Sequence, residues 1–324
     1  MAIFVTGASG FVGGAVARHF AATQGVFGMA RSPGAAAKVA ATGASPVTTD
    51  LSGVCSEHLR GCEAVIHAAA KVEAWGSRRD FWDVNVVGTE KLLAAAREAG
   101  VRRFVYISTE VVLFRGQHLR QVTEDYPYPT RSPYLYGLTK AEAERRVMAA
   151  NSPDQNFTTI VVRPKMIWGP GDTTILPTTA EMVRSGRFMW LDGGEAKTST
   201  TYIDNLVHGI RLALERGTGG AVYFINDGEV HSLRDFLTRL LATEGLVPPG
   251  KSIPGWIGRA LASALATLWR LLPFRGEPPL TPYVAGALSR DCTLSIDKAR
   301  RELGYEPLIS VSRGLEILNA QNQA

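Results

Sequence analysis

The chain has 324 residues, 45% of them hydrophobic, with a formal net charge of +5 and three cysteines. That length and composition give ample core for one large α/β domain, or a large domain with a smaller appendage. Cys55, Cys62 and Cys292 form no CxxC pair, which excludes a disulfide scaffold and points to a reducing, cytoplasmic compartment. The basic residues are scattered as pairs such as Arg102-Arg103 and Arg300-Arg301, so they read as solvated helix faces and no nucleic-acid partner is expected. The histidines make no HxxxH or similar cluster, so no metal site is expected. An apolar strand begins at Ala2, and no cleavable signal is expected ahead of it.

In chain order the first element is "MAIFVT", an apolar run short enough only for a buried strand. It feeds "GASGFVGGA", residues 7 to 15, and then apolar residues at Phe11, Val12, Ala15, Val16 and Phe20, a helical spacing that ends at Gly25. Strand, glycine turn and helix form the order a dinucleotide phosphate needs. Gly7 allows a tight turn, Gly10 allows backbone to approach a pyrophosphate, and Gly13 allows the helix to pack close to the sheet. Ser9, Phe11 and Val12 complete the predicted phosphate site, where unpaired N–H groups at the helix start meet negative charge.

The pattern then alternates. "GVFGMA" reads as a strand, "PGAAAKVAA" as a helix, "ASPVTT" as a weak strand and "EAVIHAAA" as a strand. A long helix through "FWDVNVVGTEKLLAAAREAG" follows, then a strand "RRFVYIST", a helix "PYLYGLTKAEAERRVMAAN" and a strand "FTTIVVRP". Strands separated by helices predict βαβ units and a Rossmann-type α/β fold, a doubly wound parallel sheet with helices on both faces. Residues 1–165 are expected to bind the cofactor and 166–324 to form a smaller, mainly substrate-binding part, with segments near 200–226 returning to the first sheet.

The GxxGxxG spacing and the length resemble the extended short-chain dehydrogenase/reductases. In a dinucleotide fold an acidic residue ends the second strand when the adenosine ribose carries a free 2′-hydroxyl; here Arg31 and Ser32 stand in its place. An arginine suits a 2′-phosphate, so NADP(H) is the expected cofactor, with NAD(H) left open. The resemblance further implies that Asp50, beside Leu51, contacts adenine and that Ala68, Ala69 and Ala70 pass close to the cofactor. His67 reads as structural rather than catalytic.

Of the four tyrosines between 126 and 136, only Tyr136 has a lysine four positions on, Lys140 in "YGLTK". On a helix that spacing puts both on one face. An ammonium about 4 Å from a phenol contributes roughly 4 kcal/mol at an effective dielectric of 20, enough to draw a tyrosine towards neutrality as a proton shuttle. The resemblance adds Thr109, with Ser108 as the other alignment, to hold the substrate oxygen, and Asn85 to order its helix and a water. It gives Lys140 a second contact, with the nicotinamide ribose.

"AAKVEAWG", "NVVGT", "RPKMIWGPGD", "TTYIDN", "FINDGE" and "LSIDKARRELGYEP" together resemble the 3β-hydroxysteroid dehydrogenase/isomerase family, especially its bacterial sterol-dehydrogenase and 2-alkyl-3-oxoalkanoate-reductase members. The resemblance implies interconversion of a 3-hydroxy and a 3-keto group on a bulky apolar substrate, Arg163-Pro164 at the cofactor and substrate rim, and a homodimer built on two helices. A nucleotide-sugar epimerase or dehydratase shares the fold and the tyrosine-lysine pair, and Arg31 counts against it; a noncatalytic NADP-sensing protein shares the fold, and the tyrosine-lysine pair counts against that. No extra base for an isomerase step is evident.

"WIGRALASALATLWRLLPF", residues 256–274, has only ten uncharged residues between Arg259 and Arg270, too few for a membrane span. Together with "PLTPYVAGAL" it fits an apolar lid, and by itself it also fits an amphipathic helix resting on a membrane surface or a core-facing helix.

Overall fold

A computed structural model describes residues 2–272 and 276–322; Pro273 and Phe274 of the apolar segment lie outside the described residues. Seven apolar runs form the main sheet: β1 (Ala2–Thr6), β2 (Val26–Ala30), β3 (Ser45–Thr48), β4 (Cys62–His67), β5 (Arg103–Ile107), β6 (Thr158–Pro164) and β7 (Val222–Ile225). All neighbouring pairs are parallel, and the order across the sheet is β7-β6-β5-β4-β1-β2-β3. The strands are apolar on both faces because helices cover both faces. On β1, Ile3 and Val5 join one core with Val16, Ala17, Leu206 and Ile210, while Phe4 joins the other with Leu92, Leu93, Ala143 and Val147. Alternation along the strand thus sorts its side chains between two helical layers.

Those layers are α1 (Phe11–Ala21), α2 (Pro33–Ala40), α3 (Gly88–Glu98), α4 (Leu135–Ala149) and α5 (Ile203–Arg216). Strand order reverses at β1, so a crevice opens at the carboxyl ends of β1 and β4. The long helix expected before β5 is interrupted. A short helix Arg78–Trp82 runs into a π-helical turn Asp83–Val87 before α3 begins at Gly88. A β-carbon on Gly88 would lie 2.8 Å from Leu51 Cβ, so glycine lets α3 press on the loop after β3.

The C-terminal half has its own core around Trp168, Phe188, Trp190, Tyr202, Phe236 and Leu240. The chain crosses residue 165 in both directions. β7 joins the main sheet, while Leu119–Val122, from the first half, pairs with Cys292–Leu294 in a four-stranded sheet.

Two helices, α6 (Gly255–Leu271) and α7 (Pro282–Ser289), pack on each other in this half. The core-facing reading of α6 is corrected in one respect: it buries its small residues. Gly258, Ala262 and Ala266 face inward, while Trp256 is 66% exposed and Leu271 76% exposed. Close packing on Leu191 leaves no room for a larger side chain at Gly258, where a β-carbon would lie 2.6 Å from Leu191 Cδ2. No described helix is long and apolar enough to cross a membrane.

One carboxylate ties the end of strand β7 of the main sheet to the core of the C-terminal half. Asp227, just past β7 and 4% exposed, accepts from Trp168 Nε1 at 3.0 Å, Thr200 Oγ1 at 2.8 Å, the Tyr202 amide at 2.6 Å and Asn205 Nδ2 at 2.8 Å. Asp227→Ala leaves these donors without their acceptor, and each buried orphan costs about 1–3 kcal/mol. We expect a loss of at least 3 kcal/mol in urea unfolding; a loss under about 1 kcal/mol would show that the donors find other partners.

Candidate active site

The glycine turn is built by steric demand. Gly7 has φ +69°, and a β-carbon there would lie 2.9 Å from the Ala69 amide nitrogen. At Gly13 it would lie 2.2 Å from the Gly7 carbonyl oxygen, so α1 rests directly on the turn. Gly10 is exposed in an extended conformation, and no side chain caps α1 and no acid occupies its first turn. Its first N–H groups are therefore free to face an anion. Ser9, Phe11 and Val12 sit half-buried along the same turn.

Across the crevice, Thr6 Oγ1 lies 2.7 Å from His67 Nδ1 and accepts from the Ala69 amide at 3.1 Å. His67 Nε2 lies 3.0 Å from Thr89 Oγ1, whose own hydrogen goes to the Asn85 carbonyl at 2.7 Å. Thr89 must then accept, so Nε2 carries the imidazole proton and Nδ1 accepts from Thr6. Burial, reinforced by Lys140, pushes His67 down to about 3 and holds it neutral. Its position is structural: it stitches β1, β4 and α3 together beneath Ala68–Ala70, which are half-buried.

Arg31 and Ser32 lie exposed just past β2, where Ser32 Oγ accepts from the Ala35 amide at 3.2 Å and caps α2. Asp50 is exposed after β3; its Oδ1 accepts from the Ser52 amide at 2.8 Å, Ser52 Oγ at 2.6 Å and the Gly53 amide at 3.0 Å. The Ser52 hydroxyl is the main reason its carboxyl sits below its ordinary value. Leu51 is buried beneath α3.

The predicted proton-transfer residues converge at the carboxyl end of β5. Asn85, in the π turn, accepts from the Lys71 amide at 2.7 Å and donates to the Lys71 carbonyl at 3.0 Å and Thr139 Oγ1 at 3.1 Å. It joins the loop after β4 to the tyrosine-lysine helix. A single-turn π element at such a point is a recurrent device for aiming one side chain inward.

Thr109, not Ser108, is brought to Tyr136. The Thr109 hydroxyl is within hydrogen-bonding reach of the phenol, whereas Ser108 donates to the buried Glu144 carboxylate. Arg163 is corrected from rim to interior. Its guanidinium is ion-paired with Glu144 and hydrogen-bonded to Tyr128 at 3.0 Å, with side chains of Arg163 and Glu144 at 1% and 0% exposure. A carboxylate buried in the α4 layer requires this counter-ion. Pro164 ends β6 buried beside Ile225.

Lys140 also departs from expectation. Its ammonium donates to the Ile107 carbonyl at 2.6 Å and lies 4.0 Å from the Tyr106 ring centroid. Burial pulls it down to about 7, with the Glu144 charge opposing. The half-buried Tyr136 phenol is pushed up rather than down, by burial first and then by the Glu110 carboxylate.

The sequence reading missed Glu110, Lys165, Trp75 and Tyr283. Trp75, Phe81, Tyr134, Tyr136 and Tyr283 line a cavity of about 470 Å³ that also touches Arg270. The Arg270 guanidinium, from the last turn of α6, lies 5.5 Å from the Trp75 ring centroid, so the apolar helix reaches the cavity mouth. The one legible signal was Glu110, a charge inside the apolar run "YISTEVVLF".

With the geometry in place, residues 4–254 match the model of the 3-beta hydroxysteroid dehydrogenase/isomerase family. The chain belongs to that family. A 4-hydroxy-2-methyl-3-oxo-4-farnesyl-3,4-dihydroquinoline-1-oxide ketoreductase from Stigmatella aurantiaca is 43% identical over 327 residues, covering 100% of this chain and 97% of the relative. A 2-alkyl-3-oxoalkanoate reductase from Stenotrophomonas maltophilia is 36% identical, covering 100% of both chains. The dTDP-glucose 4,6-dehydratase of Streptomyces venezuelae, solved as a double mutant with NAD bound, superposes with a TM-score of 0.77 at 22% identity, over 100% of this chain and 97% of that one, a likeness of fold. The protein is thus an oxidoreductase of hydroxyl and keto groups within the extended short-chain fold.

Proposed function

We propose that the protein reduces the 3-keto group of a bulky apolar substrate, a sterol-like ring or a 2-alkyl-3-oxoalkanoate, with NADPH as its hydride source. The observation that carries the reading is that Tyr136 lines the aromatic cavity and has Thr109 beside it, with Lys140 one turn along the same helix. The names of both full-length relatives describe reduction of 3-oxo compounds, which supports the keto direction. The nicotinamide supplies hydride to the carbonyl carbon.

In this reading the residues divide the remaining work. The aromatic walls exclude water and hold the substrate against Tyr136, whose phenol proton passes to the ketone oxygen as the alcohol forms. Thr109 keeps the phenol in line with the substrate oxygen. Lys140, a buried amine drawn to about 7, stands one turn along to resupply the phenol and to hold the ribose. Gly7, Gly10 and Gly13 admit the pyrophosphate to the start of α1, and the exposed Arg31 and Ser32 flank the adenosine end, where a 2′-phosphate is met by the guanidinium. The outward apolar face of α6, whose two charges are both arginines, rests against a lipid surface from which such a substrate is taken.

NADPH oxidation measured with a 3-ketosteroid and, separately, with a 2-alkyl-3-oxoalkanoate tests the reading; failure of both with NADPH bound would refute it. With the substrate that turns over, Tyr136→Phe is expected to lower kcat by roughly 10²–10⁴-fold while NADPH affinity stays within about twofold. Retained turnover would remove Tyr136 from the chemistry. Arg31→Asp is expected to weaken NADPH at least tenfold relative to NADH, since a charge-assisted contact of roughly 1.5–3 kcal/mol is lost; an unchanged ratio assigns the 2′-phosphate elsewhere. Sedimentation with anionic phospholipid vesicles is expected to carry down the wild type and to fail after Trp256→Ser with Leu271→Ser, and equal sedimentation of both would exclude α6 as the contact.

A further inference from the structure

Glu110 follows Thr109 immediately, at the start of a short 3-10 turn, Glu110–Leu113, beyond β5. It is 8% exposed and belongs to no role assigned above. Its Oε1 is 3.2 Å from Lys165 Nζ, and its Oε2 accepts from Thr109 Oγ1 at 2.8 Å. Lys165, 5% exposed just past β6, also reaches Cys292 on the small sheet. A carboxylate and an ammonium buried side by side are expensive to desolvate, and nothing in the packing of the main sheet requires them there. Their position is informative: Glu110 binds the Thr109 hydroxyl that reaches the tyrosine.

The geometry fixes the direction of one hydrogen bond. A threonine hydroxyl has a single proton, and an ionised carboxylate can only accept, so the Thr109 proton is committed to Glu110. Thr109 then offers only lone pairs to the phenol. We propose that Glu110, anchored by Lys165, is a positioning residue: it fixes the Thr109 hydroxyl as an acceptor for the Tyr136 phenol, which stays protonated until a ketone oxygen takes the place of Thr109 as acceptor of that proton. The inference rests on the function proposed above and deepens it.

The electrostatics run the same way. The groups facing the phenol are Glu110 and Thr109 on the turn after β5, Tyr106 on β5 and Tyr283 on α7, with Lys140 one turn along its own helix. Lys140 is engaged by the Ile107 carbonyl, so the negative charge of Glu110 is the one that acts on Tyr136. A nearby negative charge disfavours phenolate and keeps the proton on oxygen. Burial works against the charge on Lys165, but the Glu110 carboxylate 3.2 Å away sustains it, so the ammonium persists and pins the carboxylate. The Cys292 thiol is pushed up to about 12 by burial and remains protonated beside it.

The test follows kcat/KM for ketone reduction against pH at saturating NADPH. Two falls are expected, loss of the Lys140 proton near 7 and, further alkaline, loss of the phenol proton, and the second is the one followed. Glu110→Gln removes the charge, so the phenol ionises more readily and the fall moves to lower pH by about one unit. Glu110→Asp keeps the ion pair on a shorter arm drawn back from Thr109 and moves it the same way by less. If both variants fold and bind NADPH yet the fall stays where the wild type has it, or activity drops equally at every pH, the inference is overturned. A second readout is independent of turnover. Phenolate absorbance of Tyr136, taken as the difference from Tyr136→Phe, is titrated with and without Glu110→Gln. If the wild type reduces neither ketone, the proposed function fails while this titration still decides the role of Glu110.

Discussion

The contact between the first helix and the turn beneath it sets the geometry on which the rest depends. Gly13 rests on the Gly7 carbonyl, and Gly7 in turn abuts the backbone of Ala68 and Ala69. Three segments of main chain therefore meet without an intervening side chain. Such approach is available only to glycine, and it aims the bare start of α1 into the crevice between β1 and β4. Any β-carbon in this stack would push the helix away and widen the crevice.

Around that crevice the protein buries two ion pairs and an amine. Arg163 and Glu144 are paired, with Ser108 and Tyr128 supplying further hydrogen bonds to the carboxylate. Glu110 is paired with Lys165 and occupied by Thr109. Lys140 is the exception in kind: its neighbours are a carbonyl and an aromatic face, and burial lowers it to about 7. Ion pairs of this sort rarely raise stability over an apolar core, because desolvation offsets their attraction. In the function proposed above, the Glu110–Lys165 pair holds Thr109, and with it Tyr136, in a defined orientation for proton transfer.

Several parts of the site were legible from local pattern. The glycine trio, the apolar strand before it and the helix after it are contiguous in the chain, and their constraints act between near neighbours. Tyr136 and Lys140 are one helical turn apart, so their shared face is a matter of period alone. The mutual electrostatic tuning expected of that pair was not, because it depends on what else each touches. Lys140 found the Ile107 carbonyl on β5, and Tyr136 found Thr109 and Glu110, all distant enough in sequence that spacing carries no information about them. The choice between Ser108 and Thr109 also lay beyond the sequence. Successive residues at a strand end point to opposite sides, and only the position of Glu144 on α4 shows which hydroxyl is diverted into the interior.

The sequence by itself determined the alternating strands and helices, the phosphate turn and the helical tyrosine-lysine pair, because periodicity, glycine and short spacing act locally. It left α6 open between an apolar lid, an amphipathic helix on a membrane surface and a core-facing helix. Only the tertiary structure decided which face of α6 is inward. The close approach of Leu191 and α7 selects its glycine and alanines for burial and leaves Trp256, Leu261 and Leu271 outside. The aromatic cavity is likewise a product of the fold, since Trp75, Tyr136, Arg270 and Tyr283 come from four separate stretches. The ion pair of Glu110 and Lys165 joins residues 55 apart, and burial is what gives it meaning. In water that pair would be worth little; enclosed beside a phenol it selects where a proton resides.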